Sequence, residues 1–289
     1  MVEYILGNYL VDTGKITKEQ LLQVLDKQDS VRVKLGLIAV AEGMMTLAQA
    51  DEVNRLQAIM DKRYGDIAVS KGYLTDEQVG KLLKMQGNTY MTFIQTLIDS
   101  DFVSMDEMDD LVNNFRQANG YSNSEIDALK SDDVDRIIPL FIPEEGKQFT
   151  EIIATAVRTL IRLIDRHAYV GKAEMVTTFP ATNQVSQALS GDNGVIDCFS
   201  EGTGALLKVC SVFGQEDFAE LDMDSLDAAG EMLNCINGLY ASSLSRSGQF
   251  LELMPPDYDD VTPKAKSTIC RIPICIGDNS LYFTVAELV

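Results

Sequence analysis

The first 118 residues carry one pattern of hydrophobic and polar positions that recurs every 29 residues. Each copy begins with a pair of residues of which the first is apolar or aromatic. A second, apolar pair follows four residues later. A residue suited to the left-handed conformation then marks the expected end of a short helix. The opening pairs are Leu6-Gly7, Leu35-Gly36, Tyr64-Gly65 and Phe93-Ile94, and the helix-ending residues are Gly14, Gly43, Gly72 and Asp101.

A helix-start signal follows each of these turns at a fixed distance. A Thr or Ser is followed three positions later by Gln or Glu, which is the sequence of a capping box. The pairs are Thr17 with Gln20, Thr46 with Gln49, Thr75 with Gln78, and Ser104 with Glu107. Each unit is therefore predicted to be a short helix, a turn and a longer helix that stacks on its neighbours. Residues 1–118 are predicted to form an all-α repeat domain of four units.

The periodicity breaks between residues 119 and 146, which we interpret as a linker. The run Asn119-Gly120-Tyr121-Ser122 is typical of a loop, a short acidic helix follows, and Pro139 and Pro143 punctuate the rest.

Residues 147–289 have a different pattern, which predicts an α+β domain with long helices covering an antiparallel sheet. A long amphipathic helix at 147–166 would bury Phe149, Ile152, Ile153, Ala156, Leu160 and Leu163. Strands are predicted at 175–179, 195–199, 250–254, 267–276 and 281–287, the last two joined by a turn at 277–280, and helices at 205–213 and 225–246.

The helix at 225–246 is the one element that combines polar groups with small residues along one face. That face carries Asp227, Glu231, Asn234, Gly238, Ala241, Ser242 and Ser245, whereas the other carries Leu226, Met232, Leu233, Ile236, Leu239, Tyr240 and Leu244. A carboxylate and a carboxamide one turn apart, beside residues without bulk, indicate a docking surface that bears reactive groups. The alternative is an ordinary solvated face.

Composition excludes several classes of function. The 44 acidic and 24 basic residues give a net charge of −20, which disfavours nucleic acid and anionic membranes as partners. The single histidine, His167, argues against Ser-His-Asp, Cys-His and multi-histidine metal chemistry. Five scattered cysteines indicate reduced thiols. Without a signal peptide or an apolar run long enough to span a membrane, the chain is expected to be soluble and cytoplasmic.

The acid, amide and proline of this region resemble a known family. The pattern Asp227-x-x-x-Glu231-x-x-Asn234-x-x-x-Gly238, followed by Leu253-Met254-Pro255-Pro256, is similar to that of the CheC/CheX/FliY family of chemotaxis phosphatases. The glycine-marked segment from Ser190 to Ile196 also resembles the hairpin before that family's catalytic helix. The chain carries one such motif, as CheX does.

This resemblance implies a phosphatase that hydrolyses the aspartyl phosphate of a CheY-like response regulator. Asn234 would orient the attacking water and Glu231 would engage a lysine of the regulator, with Asp227, Gly238, Ser242 and Pro256 in the docking surface. Magnesium would come from the regulator, so this chain would need no cofactor of its own. The resemblance also implies a homodimer. A non-catalytic adaptor that docks signalling partners is the alternative.

The 29-residue unit resembles the repeat in the N-terminal domain of type II secretion and pilus assembly ATPases, the MshEN type. Some members of that group bind cyclic di-GMP, which makes a receptor for this dinucleotide a third hypothesis. The matching positions are Lys34, Gly36, Gln57, Arg63, Gly65 and Gln86. Of the four positions that match the leading arginine of that repeat, only Arg63 keeps it.

Overall fold

A computed structural model describes residues 1–60, 62–178, 184–258 and 265–289, with the side chains of Asp29 and Ser267 left out. The chain divides into two compact units, Val2–Asp132 and Asp133–Val289.

The unit Val2–Asp132 is helical throughout the residues that the structure describes. Its helices have 7 to 12 residues each. The helices are α1 (Val2–Asp12), α2 (Lys18–Lys27), α3 (Leu35–Ala41), α4 (Leu47–Gln57), α5 (Tyr64–Ser70), α6 (Asp76–Met85), α7 (Thr89–Asp99), α8 (Met108–Asn119) and α9 (Asn123–Lys130).

Local chemistry sets the helix boundaries in this unit. Thr17, Thr46 and Thr75 each close a predicted capping box, with the hydroxyl accepting from the glutamine amide N–H and the glutamine side chain accepting in return. The residues expected to be left-handed are so, with φ of 71° at Gly14, 64° at Gly43, 72° at Gly72 and 58° at Asp101. These predictions are confirmed.

Only half of the fourth predicted capping box forms, and α8 begins only at Met108. Its N-cap residue, Glu107, makes no side-chain cap. The Glu107 carboxylate accepts from the Ser104 amide at 2.9 Å, as the prediction requires, and also from Lys15 Nζ at 2.7 Å. Lys15 in this way lowers the pKa of Glu107 to about 2. The Ser104 hydroxyl donates to the same carboxylate at 3.1 Å, and the Glu107 amide donates to the Ser104 carbonyl at 3.2 Å. These contacts close a turn at Ser104, and the helix starts one turn later than the sequence suggests.

Residues 119–146, interpreted above as a linker, contain regular structure. They include α9, α10 (Val134–Ile137) and 3-10 turns at Ile138–Phe141 and Glu144–Phe149. Leu129, Ile137 and Ile138 are buried. Apolar side chains at these positions explain why the segment packs despite its prolines.

The unit Asp133–Val289 is α+β. Its remaining helices are α11 (Thr150–Leu163), α12 (Thr203–Gly214) and α13 (Met223–Arg246). Its strands are β1 (Tyr169–Val170), β2 (Glu174–Val176), β3 (Val185–Gly191), β4 (Val195–Ser200), β5 (Leu251–Leu253), β6 (Ala265–Ile276) and β7 (Asn279–Leu288).

These strands form one antiparallel sheet in the order β1-β6-β7-β4-β3-β5, with β2 also paired to β6. The hairpin partner of β4 is β3, a strand that the sequence pattern did not predict, whereas the segment predicted as a strand at 175–179 supplies β2. Positive φ at Gly191 and Asn193 forms the tight connection between β3 and β4. Phe179 of the predicted strand lies outside the described residues.

Short strands lie at both sides of the sheet within the described residues. β1 and β2 pair with the same edge of β6, and Gly171 between them donates its amide to the Pro273 carbonyl at 3.0 Å. The N–H and C=O of one strand residue point to the same side of the strand. Pro273, which has no N–H, therefore lacks a donor at the point where β1 ends and β2 has not yet begun. On the other side β5 has three residues.

The helix predicted at 147–166 is shorter than expected. Residues 144–149 form a 3-10 turn, α11 starts at Thr150, and it ends at Leu163. Leu163 was expected to be buried but is 39% exposed, since the last turn of the helix projects past the core that Ile153, Val157 and Leu160 fill. No helix in the described ranges is long and apolar enough to cross a membrane.

Candidate functional site

Helix α13 displays the predicted polar face to solvent. Asp222 caps its N-terminus in a capping box with Ser225. Asp227, Glu231, Asn234 and Ser242 are exposed, whereas Met232, Leu233 and Ile236 are fully buried against the sheet. The helix therefore orients its polar groups as the sequence pattern predicts.

Leu239 is a correction to that pattern, because it is 42% exposed rather than buried. The buried stripe of α13 includes Gly230 and Asn237, both of which lie on the Asn234 side of the apolar residues. The buried face of α13 is therefore shifted toward Asn234 relative to the predicted apolar face. Leu239 lies at the opposite edge of this buried face.

Asn234 is exposed but anchored. Its Oδ1 accepts a hydrogen bond from Gln187 Nε2 at 3.0 Å, and the same Nε2 donates to the Met254 carbonyl at 2.8 Å. Gln187 lies on β3 and is buried, while Met254 follows β5. Two neighbouring strands thus fix one end of the Asn234 carboxamide and leave its other end at the surface.

Pro256 packs against α13 where the helix has no side chain. A Cβ added to Gly230 would lie 3.2 Å from Pro256 Cβ and 2.8 Å from the Tyr258 hydroxyl. That hydroxyl donates to Asp227 Oδ1 at 2.9 Å. Partial burial, followed by this hydrogen bond and the nearby Glu231 charge, raises the pKa of Tyr258 to about 12. The segment 255–258 is consequently held beside Asp227, Glu231 and Asn234.

Gly238 has free space beside its Cα, in contrast to the closely packed Gly230. A Cβ built on Gly238 would meet nothing within 4 Å. The surface beyond Asn234 therefore lacks bulk, and the exposed Met254, whose carbonyl accepts from Gln187, adds an apolar side chain beside the site. A partner could approach the helix backbone at this point.

Sequence reasoning missed the buried polar residues beneath Asn234. Asn237 is fully buried and donates from Nδ2 to Gln187 Oε1 at 2.9 Å and to Asp197 Oδ1 at 3.0 Å. Gln187 and Asp197 are direct cross-strand neighbours on β3 and β4. The available signal was a polar residue inside each apolar stretch, because a buried polar group needs a partner.

Asp197 is the ionisable member of this buried group. Its side chain is fully buried, and burial raises the pKa of its carboxyl to about 7, against the opposing effect of the Asn237 hydrogen bond. Its second oxygen, Oδ2, has no hydrogen-bond partner among the described residues.

Most of the residues suggested for a nucleotide line one cleft of the unit Val2–Asp132. The cleft has a volume of about 730 Å³ and contains Lys34, Gln57, Arg63, Gly65 and Gln86 in its walls. Arg32 and Asn54, which the sequence reasoning did not select, also line it. Among the described residues, Arg32, Lys34 and Arg63 line the cleft together with one acidic residue, Asp66.

Two of these side chains already have protein partners, and one glycine lies elsewhere. Lys34 Nζ pairs with Asp99 at 2.8 Å, and the Gln86 amide donates to the Val33 carbonyl at 2.6 Å. Gly36 is buried beneath Tyr64, whose hydroxyl would be 2.7 Å from an added Cβ. Arg63 is exposed at the cleft wall.

Comparison with known proteins finds similarity only among solved structures. No protein-family model matches the chain, and no curated protein matches it. The chain is similar to a CheC-like protein from Shewanella oneidensis MR-1, with 13% identity and a TM-score of 0.41 over 49% of this chain and 97% of that one. It is also similar to a chain of the CheX-CheY-BeF3-Mg complex from Borrelia burgdorferi, with 16% identity and a TM-score of 0.40 over 47% of this chain and 94% of that one. For Thermotoga maritima FliY the identity is 19% and the TM-score 0.35, over 50% of this chain and 90% of that one.

Proposed function

We propose that this protein is a phosphatase for the aspartyl phosphate of a response regulator in chemotaxis or related two-component signalling. Asn234 orients the water that attacks phosphorus, and Glu231 engages the lysine of the regulator. The observation that carries the proposal is the exposed Asn234 carboxamide, held at one end by Gln187 and placed one turn from exposed Glu231.

Hydrolysis of an aspartyl phosphate on a regulator requires few groups from this chain. A phosphorylated regulator already holds the phosphoryl group, the magnesium ion and a lysine, so an aligned water is the missing component. A carboxamide can hold a water in line with phosphorus, as a glutamine does in small GTPases. A carboxylate paired with a lysine fixes the register of two proteins through a charge-assisted contact.

The surroundings of the two residues support this assignment. The face of α13 beyond Asn234 lacks bulk at Gly238, and Ser242 continues it with a small exposed side chain. The Tyr258 hydroxyl bonds Asp227 and leaves Glu231 exposed. The group proposed to contact the partner is therefore accessible beside the group proposed to contact water.

The decisive experiment measures phosphate loss from the regulator encoded beside this protein. Wild type is expected to shorten the half-life of the phosphorylated regulator, and Asn234→Ala is expected to reduce that acceleration by about a hundredfold or more, the usual cost of removing a positioning group. Asn113→Ala, an exposed asparagine within α8, is the matched control and is expected to behave as wild type. Equal rates for wild type and Asn234→Ala would contradict the catalytic role.

The adaptor hypothesis makes a different prediction in the same assay. An adaptor binds the regulator without changing the half-life of its phosphate. Binding measured by titration, together with an unchanged half-life, would therefore select the adaptor. The implied homodimer is tested separately by sedimentation, in which a single monomeric species at working concentration would contradict it.

A second proposed function is reception of cyclic di-GMP by the cleft of the unit Val2–Asp132. The specific observation is the gathering of Arg32, Lys34 and Arg63 around one cleft, on a chain whose net charge is −20. Guanidinium groups stack on bases and pair with phosphates, which suits an anionic nucleotide.

Isothermal titration with cyclic di-GMP tests this function directly. Wild type is expected to give a heat of binding that Arg63→Ala loses. Arg55→Ala, an exposed arginine of the same unit outside the cleft, should keep it. Absence of heat with wild type would reject the receptor.

A further inference from the structure

A row of hydrogen-bonded amides runs from the surface at Asn234 to the interior at Asp197. Gln187 links the two ends: its Nε2 donates to Asn234 Oδ1 at 3.0 Å and its Oε1 accepts from Asn237 Nδ2 at 2.9 Å. Asn237 Nδ2 also donates to Asp197 Oδ1 at 3.0 Å. Gln187, Asn237 and Asp197 are at most 1% exposed, so water does not compete for these contacts.

Fixed acceptors determine which way each amide faces. The Met254 carbonyl, 2.8 Å from Gln187, can only accept, so the Gln187 atom beside it must be the Nε2 donor. Oε1 of Gln187 must then face Asn237 and accept from it. The same orientation of Asn237 supplies a donor to Asp197. Asn234 therefore meets a donor from below, which its Oδ1 accepts.

This contact distinguishes Asn234 from an ordinary exposed asparagine. A free carboxamide rotates broadly about its terminal torsion and exchanges its oxygen and nitrogen positions. Here one orientation keeps a hydrogen bond and the flipped one would bring two donors together. Oδ1 retains a second lone pair, and Nδ2 is directed away from Gln187.

We propose that Gln187 is a positioning residue, which fixes the orientation of the Asn234 carboxamide before the partner arrives. This inference rests on the proposed phosphatase function. Gln187 is buried and touches neither the partner nor the water, so it acts only through Asn234. Asn237 and Met254 in turn hold Gln187.

The kinetic test uses Gln187→Met, which keeps the length of the side chain and removes its donors and acceptor. We expect kcat to fall by about five- to tenfold, the value of one neutral hydrogen bond, with KM unchanged because the docking face is intact. In the Asn234→Ala background the same substitution should have no further effect on kcat. Thr284→Val, a buried polar position on the opposite face of the sheet, is the matched control for loss of a buried polar group.

A second measurement does not depend on activity. The side-chain amide resonances of Asn234, assigned by their absence in Asn234→Ala, are expected to shift in Gln187→Met and to stay in place in Thr284→Val. Unchanged Asn234 resonances in a folded Gln187→Met protein would overturn the inference.

The outcomes separate this inference from the proposed function. An active wild type in which Gln187→Met lowers kcat equally with and without Asn234 would overturn the positioning role alone. A wild type that leaves the half-life of the phosphate unchanged would overturn the phosphatase, and the role of Gln187 in that reaction would fall with it.

Discussion

At the scale of single residues, two glycines of α13 have opposite environments. Gly230 is in close contact with Pro256 and the Tyr258 hydroxyl, whereas Gly238 faces open space. The first is glycine because another segment lies against the helix, and the second leaves room on its outer face. The same residue type therefore serves internal packing at one position and access at the other.

We expect Gly230→Ala to displace Tyr258 from Asp227. The added methyl would approach the tyrosine hydroxyl to 2.8 Å, so the hydroxyl must move and the hydrogen bond to Asp227 is lost. A several-fold loss of regulator dephosphorylation should follow. Gly238→Ala is the control: it should stabilise the helix by up to about 1 kcal/mol in urea unfolding, because alanine has the higher helix propensity. A destabilised Gly238→Ala would contradict the open environment.

The buried carboxyl of Asp197 predicts a dependence of stability on pH. Burial raises its folded pKa to about 7, above the unfolded value of about 3.9. Between these values the folded chain keeps a proton that the unfolded chain has released. The stability from this group is therefore fully present below about pH 4 and is lost as pH rises through about 7.

Asp197→Asn tests this sign, since the amide is neutral at every pH. The difference in Tm between about pH 5 and about pH 8 should be smaller in Asp197→Asn than in wild type. Asp224→Asn, an exposed carboxyl at the start of α13, should leave the difference unchanged. Identical pH profiles for wild type and Asp197→Asn would mean that Asp197 does not titrate in this way.

At the scale of elements, we expect different effects of substitution at Thr46 and Ser104, which occupy equivalent positions in two of the repeat units. Thr46 accepts from the Gln49 amide, whereas Ser104 makes no such cap because α8 begins at Met108. Thr46→Ala should therefore lower the free energy of unfolding by about 1 kcal/mol. Ser104→Ala should have a smaller effect. Equal losses in urea unfolding would show that the two positions do not differ as described.

Some of the helices and strands could be predicted from the sequence and others could not. Helix starts at Thr17, Thr46 and Thr75 and the polar face of α13 were predictable, since both depend on spacing within a few residues. The start of α8 was not, because the same Ser-x-x-Glu spacing here closes a turn, in which the Glu107 amide donates to the Ser104 carbonyl at 3.2 Å. Strand β3 was missed because Ser186 and Gln187 interrupt its apolar pattern, although both of these polar residues are buried.

The candidate site divides in the same way. Asp227, Glu231, Asn234 and Gly238 share one helix, so their common face follows from helical geometry. Gln187, Asp197 and Tyr258 reach that helix from other parts of the chain. Their roles depend on the pairing of β3 with β4 and β5, which sequence spacing does not determine.

At the scale of the whole molecule, the net charge bears on the proposed docking of a regulator. The net charge of −20 creates a negative potential that attracts a partner lysine and is screened by salt. We expect the KM for the phosphorylated regulator to rise with ionic strength while kcat changes little.

The contribution of Glu231 can be isolated by its neutral counterpart. Glu231→Gln should raise KM at low salt and reduce the dependence of KM on salt. Glu220→Gln removes the same charge from an exposed loop position and should retain the wild-type dependence. An unchanged salt dependence in Glu231→Gln would contradict its pairing with a partner cation.

The interrupted edge of β6 has a consequence for the fate of the protein at high concentration. A long strand with free backbone groups can recruit another chain and start an aggregate. Here the twelve residues of β6 are covered by two short strands, and Pro273 offers no donor at the gap between them. An incoming strand therefore meets the two residues of β1 and the three of β2 rather than a continuous row of twelve, which disfavours the edge-to-edge growth that leads to fibrils.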